Sequence, residues 1–254
     1  MRVDGVSSPA VSTPLPASAR FAWWATSWLR GHVVIDLVID AVIGADATHA
    51  VAGMAGAEGT ETLAVALGRL RATGATGVGA AFPVEGDPAG LGGPAAFNAD
   101  ALEAAEAVVV GDVALGLVPH RTGAAVTWSA YSAERRPLTD VGEADRQLRK
   151  ALLAAADGLA ALEVARWRPE VADQLMNLRH LRLPAAPPGV PDRCVQLAAS
   201  GLQALGIVDV ALEDDGGAVT AYDVRERRAA LLPLERAGRH ALVAACSPEV
   251  WPPT

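Results

Sequence analysis

At about Thr139 the chain changes its grammar. Before that point short apolar runs alternate with loops rich in Gly and Pro. After it, nearly every segment carries apolar residues at helical spacing. This pattern predicts an α+β fold: an N-terminal mixed α/β layer with about four strands, then a C-terminal helical bundle of about four helices. The expected boundaries are a flexible tail over 1–17, an α/β part over 18–138, a helical part over 139–247 and a tail over 248–254. A chain of 254 residues, 51% of them apolar, can bury a sizeable core. Aromatics make up only 4%, so that core must be built from Ala, Val and Leu, with six Trp as its largest pieces.

The first helix is predicted from Ser18, as N-cap, to Ile43, because Trp24, Trp28, Gly31, Ile35, Val38 and Val42 share one face. Asp46 to Gly59 reads as turns. Thr60 caps the next helix, with Leu63, Leu67 and Leu70 inward and Gly74 as its stop. Strands are expected at Gly77–Val84, Ala107–Gly111, Leu115–Pro119 and Ala124–Ser132. Glu85 to Pro94 is a loop, and Asn98 caps a short helix. In the second half, Asp140 and Glu143 have capping-box spacing. Four helical stripes follow: one through Leu148, Leu152, Ala155, Leu159 and Leu162; one opened by Pro169, with Val171, Leu175 and Leu178; one from Ala198 to Leu212; and one through Leu231, Leu234, Gly238, Leu242 and Ala245. The last contains Pro233, which is expected to kink or split it.

Charge narrows the partners. The net charge is −8, and residues 1–145 carry all of it, with 16 Asp/Glu against 8 Arg. An acidic chain repels phosphate backbones and anionic lipid, so neither nucleic acid nor membrane is an expected partner. The longest uncharged run after the tail, Cys194 to Val208, is shorter than the roughly 20 apolar residues that span a bilayer. Two cysteines without an export signal point to a cytoplasmic setting, with Cys194 and Cys246 as small buried hydrophobes.

No motif names a reaction. His32, Asp36 and Asp40 lie one helical turn apart, with Asp46 and His49 close behind. They could hold a divalent ion, but a solvated polar face is the simpler reading, so no metal is expected. Trp23 is one step off the apolar stripe and is available to a partner, while Trp24 and Trp28 anchor the helix. The glycines of Gly74 to Gly79 follow a helix and open a strand, the reverse of a phosphate loop, so no cofactor is expected. Asp87, in the Glu85–Pro94 loop, sits where ligand crevices form. His120 with a nearby carboxylate would be a general-base candidate, and Arg121 follows it. No catalytic set is readable. Asp209 needs a partner if it is buried. The candidate ligand or partner contacts are therefore Trp23, Asp36, Asp40, His49, Asp87, His120 and Arg121.

Gly86-Asp-Pro-Ala-Gly-Leu91, Phe97-Asn98, Gly116-Leu-Val-Pro119, Trp167-Arg-Pro169 and Asp215-Gly-Gly-Ala218 resemble an uncharacterised protein family of high-GC Gram-positive bacteria. That resemblance implies no activity, cofactor or site. The leading expectation is a cytoplasmic non-enzymatic binding or regulatory protein, with an unidentified protein or small molecule as partner. The alternative is an enzyme with a small-molecule site at the 85–94 loop, His120 and the first helix. A pocket where His120, Arg121 and acids converge favours the enzyme, and an exposed Trp favours a protein partner.

Overall fold

The computed structural model of the chain describes residues 15–134, 136–161, 183, 185–213 and 221–252. The expected N-terminal tail lies outside them up to residue 14. So does the helix expected to open at Pro169, and so do the Gly216-Gly217 stop and Trp167.

The predicted Ser18–Ile43 helix is two helices, α1 (Ala17–Leu29) and α2 (Ile35–Ile43). Gly31 takes φ +79°, and the amides of Gly31 and His32 donate to the carbonyls of Trp28 and Ser27, each at 2.9 Å. These two bonds form a Schellman stop, which glycine makes without a Cβ penalty. The apolar spacing runs on across the stop, which is why periodicity reads one helix. Ser18 is not the cap. It lies in the first turn after Pro16, and its N–H donates to Glu106 Oε2 at 2.8 Å.

Six strands form one mixed sheet in the order β2-β1-β6-β5-β4-β3. They are β1 (Thr48–Ala52), β2 (Thr60–Thr62), β3 (Gly79–Ala81), β4 (Ala107–Val110), β5 (Leu115–Thr122) and β6 (Ala125–Ser132). β1 runs parallel to β6, and the other pairs are antiparallel. The strands that periodicity leaves unpredicted are β1 and β2. β1 is five residues long, and β2 is Thr-Glu-Thr, set by pairing rather than by its own pattern. Helix α3 (Leu63–Ala72) is therefore capped by Thr62 and not Thr60: the Thr62 hydroxyl accepts from Val65 N at 3.4 Å. Helix α4 (Ala95–Ala104) contains Asn98 in place of starting at it, and Asn98 Oδ1 accepts from Gly93 N at 3.1 Å.

Strand alternation sorts the core into two layers. Val108, Val110, Leu117, Val126 and Trp128 face α1 and the main core, while Val109, Val118, Phe97 and Ala101 form a second cluster under α4. Buried on both faces, β4 reads as the unbroken run Ala-Val-Val-Val. A Cβ on Gly116 would sit 2.5 Å from the Phe97 ring, so glycine there opens the slot that Phe97 fills.

The helical part comprises α5 (Val141–Ala161), α6 (Asp192–Glu213) and α7 (Ala221–Ala245). Asp140 Oδ1 accepts from the amides of Gly142 at 2.8 Å and Glu143 at 3.0 Å, fixing the start of α5. α7 runs unsplit through Pro233, because Leu231 and Leu234 on either side are fully buried and hold it. α6 and α7 approach backbone to backbone at Gly201 and Gly238: a Cβ on Gly201 would lie 3.0 Å from the Gly238 carbonyl. By length and composition, Asp192–Leu212 would suffice to cross a membrane, so the apolar stretch is longer than the uncharged run Cys194–Val208 suggests.

The two parts share one core. Trp23, Trp128, Leu231 and Leu242 belong to the same buried cluster. Trp23 Nε1 donates to the Ala245 carbonyl at 3.0 Å, and so does Trp251 Nε1, also at 3.0 Å. Thr26 Oγ1 accepts from Val78 N and donates to Val78 O, at 2.9 and 3.1 Å. The segment after 247, expected as a tail, is held by Trp251 and by Glu249, which pairs with Arg136 at 3.0 Å.

Candidate functional site

Three of the candidate residues, His49, His120 and Arg121, gather around one end of the sheet. Adjacent strand residues point to opposite faces, so His120 and Arg121 diverge. His120 Nε2 lies 2.9 Å from Asp100 Oδ2 on α4. Asp100 also hydrogen-bonds Tyr131, which raises the Tyr131 pKa above its ordinary value. Arg121 reaches across the other face to Asp46, which it grips through both terminal nitrogens. Arg20 of α1 adds a longer contact to Asp46, at 3.8 Å.

Asp46 is the hub of that second face. The hydrogen bond from Arg121, with His49 beside it, lowers its carboxyl to about 2. His49 is buried, with Nε2 at 2.9 Å from Asp46 Oδ2 and Nδ1 accepting from Trp128 Nε1 at 3.1 Å. An indole N–H can only donate, so His49 Nδ1 carries no proton and Nε2 carries the one it has. Burial pushes the His49 pKa below its ordinary value, which outweighs the pull of Asp46. His49 is thus a neutral, fixed link between Trp128 and Asp46. It is buried too deeply to meet a ligand.

Between the start of α1 and the end of α4 lies a cleft of about 340 Å³, lined by His120, Arg121, Glu103, Glu106, Ala17 and Val126 among others. Glu106 caps α1 through the Ser18 amide, where the helix dipole favours a negative charge. His120 is paired with Asp100, and Arg121 shares Asp46 with Arg20. With Glu103 and Glu106, four carboxylates stand against the two guanidiniums of Arg20 and Arg121, an excess of negative charge. No Ser, Thr, Cys or Lys is among the described lining residues.

The remaining candidates lie elsewhere. Trp23, expected one step off the stripe and accessible, is completely buried, because α1 is enclosed on nearly every side, with Phe21 and Trp28 on one face and Trp23 on the opposite one; Trp24 is half-buried. No described tryptophan is exposed. Asp36 and Asp40 are exposed on α2, and the described residues contain no cluster of three or more metal-ligating side chains. Asp209 is exposed on α6 and has a partner. Asp87 is buried, but no residue of the 85–94 loop lines the His120 cleft. Asp87 instead meets α7: Arg239 Nη2 lies at 3.0 Å, His240 Nε2 at 2.9 Å and Arg236 Nε at 3.5 Å. Burial raises the Asp87 carboxyl, and the bonds from His240 and Arg239 outweigh it, leaving it below the ordinary range. Cys194 and Cys246 are free and buried, and burial lifts the Cys194 thiol to about 12.

Sequence reasoning did not find Asp100, Glu103, Glu106 or Arg20. Asp100, Glu106 and Arg20 each take their place through a partner at least 20 positions away, and Glu103 through the fold of the cleft, which periodicity does not encode.

Two family models match the chain. One, described as Rv1486c-like protein, N-terminal domain, covers residues 18–141. The other, described as Rv1486c-like protein, C-terminal domain, covers residues 142–243. The chain is 30% identical over 286 aligned positions to "Uncharacterized protein Rv1486c" of Mycobacterium tuberculosis (strain ATCC 25618 / H37Rv), spanning 92% of this chain and 98% of that one. It is 27% identical to "Uncharacterized protein ML1804" of Mycobacterium leprae (strain TN), again over 92% of this chain and 98% of the other. No solved structure matches it.

Proposed function

The chain belongs to the Rv1486c-like protein family, and we propose that it is a cytoplasmic, non-enzymatic binding or regulatory protein whose ligand is a small organic cation seated in the His120 cleft. One observation carries this reading. Four carboxylates, Asp46, Asp100, Glu103 and Glu106, stand at or beside the cleft against two guanidiniums, Arg20 and Arg121, so its excess charge is negative. A cleft of one sign with low-dielectric walls concentrates the opposite charge. Asp100 and Asp46 hold His120 and Arg121 in fixed positions, so the cleft is preorganised for recognition. A cytoplasmic bundle fits α6 because its packing partner α7 carries Arg225, Arg227, Arg228, Glu235 and Arg236.

The test is calorimetric titration of the full chain with n-butylammonium and n-butylguanidinium, against n-butanol as the uncharged control. Binding of either cation, weakened about tenfold in Glu103→Gln, a change of about 1.4 kcal/mol, supports the reading. Equal binding of butanol sinks it.

A second reading rests on the His120–Asp100 pair, whose 2.9 Å contact is the orienting geometry of a general base. Turnover of a bound amine that disappears in His120→Gln would make the protein an enzyme.

A further inference from the structure

Between α5 and α7 lies a groove of about 440 Å³, within the size range of small-molecule sites. Lys150 and Arg236 are its charged lining, His240 lies beside them, and no carboxylate is among the described residues that line it. Lys150 is the chain's single lysine, in a protein of net charge −8. It is exposed on α5, and no ion pair or hydrogen bond engages it among the described residues. Arg236 is 62% exposed and holds Asp87 only by a 3.5 Å contact. Three acids on the flanking elements are already engaged. Asp87 serves Arg239 and His240, Glu235 serves Arg239, and Glu143 holds the Gln147 amide at 2.9 Å. Asp87 and Glu235 thus face Arg236, Arg239 and Lys150, leaving one cation in excess. Ala151, Ala154 and Ala237 form an apolar floor. Pro233 at the edge has no amide hydrogen, so the carbonyl one turn earlier loses its helical donor.

We propose that this groove is a second ligand site, for a small organic anion: a carboxylate or phosphate head held by Lys150 and Arg236, with a short aliphatic body on the alanine floor. The charge is opposite to that of the His120 cleft, so the two sites select opposite ligands and do not depend on each other. Lys150 supplies a point charge with three donors, and Arg236 a planar fork suited to two oxygens of one head group.

Titration of the full chain with hexanoate, hexyl phosphate and hexylammonium tests this. Hexanoate or hexyl phosphate binds, and whichever binds tighter identifies the head group. Hexylammonium does not bind in the groove. Lys150→Gln weakens the anion about tenfold and leaves the melting midpoint unchanged, because Lys150 has no partner to lose. Arg236→Gln weakens it too, and Glu103→Gln does not. Binding of hexylammonium that Lys150→Gln abolishes, anion affinity unaltered in Lys150→Gln, or no binding of either anion would overturn the proposal. None of these results bears on the His120 cleft, which Glu103→Gln reports separately.

Discussion

Trp23→Ala is the substitution that separates this structure from a reading by periodicity alone. Spacing puts Trp24 and Trp28 on the buried face and Trp23 outside it. The structure buries Trp23 completely, 0% exposed, and leaves Trp24 half-buried. The Trp23 indole touches the core and also donates to the Ala245 carbonyl at the end of α7. Truncating a buried Trp to Ala costs about 3–5 kcal/mol, transfer and cavity together. Ala245 keeps its bond from Trp251, so no orphaned acceptor adds to the cost. For a chain of this size each kcal/mol moves the midpoint by about 2–4 °C, so the melting temperature should fall by about 6–20 °C. Trp24→Ala removes a half-buried ring and should cost less than half as much. Circular dichroism melts of the two variants beside the parent decide the matter. A Trp23→Ala midpoint within about 3 °C of the parent, or a larger loss in Trp24→Ala, would refute the packing assigned to α1.

Asp87→Ala should cost about 1–3 kcal/mol in urea unfolding, because it removes the Arg239 and His240 bonds to the loop while Glu235 still pairs with the buried Arg239 guanidinium; a loss under about 0.5 kcal/mol would show that the loop does not pin α7. His49 is held neutral below its ordinary pKa, whereas the unfolded chain protonates it near pH 6.5. Its contribution is therefore complete above about pH 6.5 and is lost as pH falls toward the depressed native pKa. In His49→Gln the decline in melting temperature between about pH 7 and 5 should flatten, and an unchanged slope would contradict the assignment. Gly116→Ala should destabilise by about 1–3 kcal/mol through collision with the Phe97 ring, measured by the same melts; a neutral result would mean that the slot is not tight.

Legibility followed the range of the interaction. The stripes at Leu148, Ala198 and Leu231–Ala245 are local and predicted α5, α6 and α7. The Asp140 cap and the strand through Val126 and Trp128 are also local and were equally readable. β2 has no pattern of its own and exists by pairing with β1. The stop at Gly31 was hidden because glycine fits both a helix face and a helix end, and only backbone geometry distinguishes them. In the candidate site His120 and Arg121 were visible as residues. Their partners were not: Asp100 is 20 positions from His120, and Asp46 is 75 from Arg121. Asp87 was chosen for its loop, and its actual partners lie on α7, 152 and 153 positions away.

The central claim is that the cleft between α1 and α4 takes a cation without transforming it. The most direct measurement is an amide correlation spectrum of the isotopically labelled full chain, recorded during titration with n-butylguanidinium while the ligand's own signals are followed. The account predicts shifts confined to Ala17–Arg20, Glu103–Glu106 and His120–Val126, with the ligand signals unchanged over days. Shifts centred elsewhere, such as on the Lys150 groove, or no saturable shift at all, would contradict the site. New ligand signals that grow with time would contradict the non-enzymatic reading.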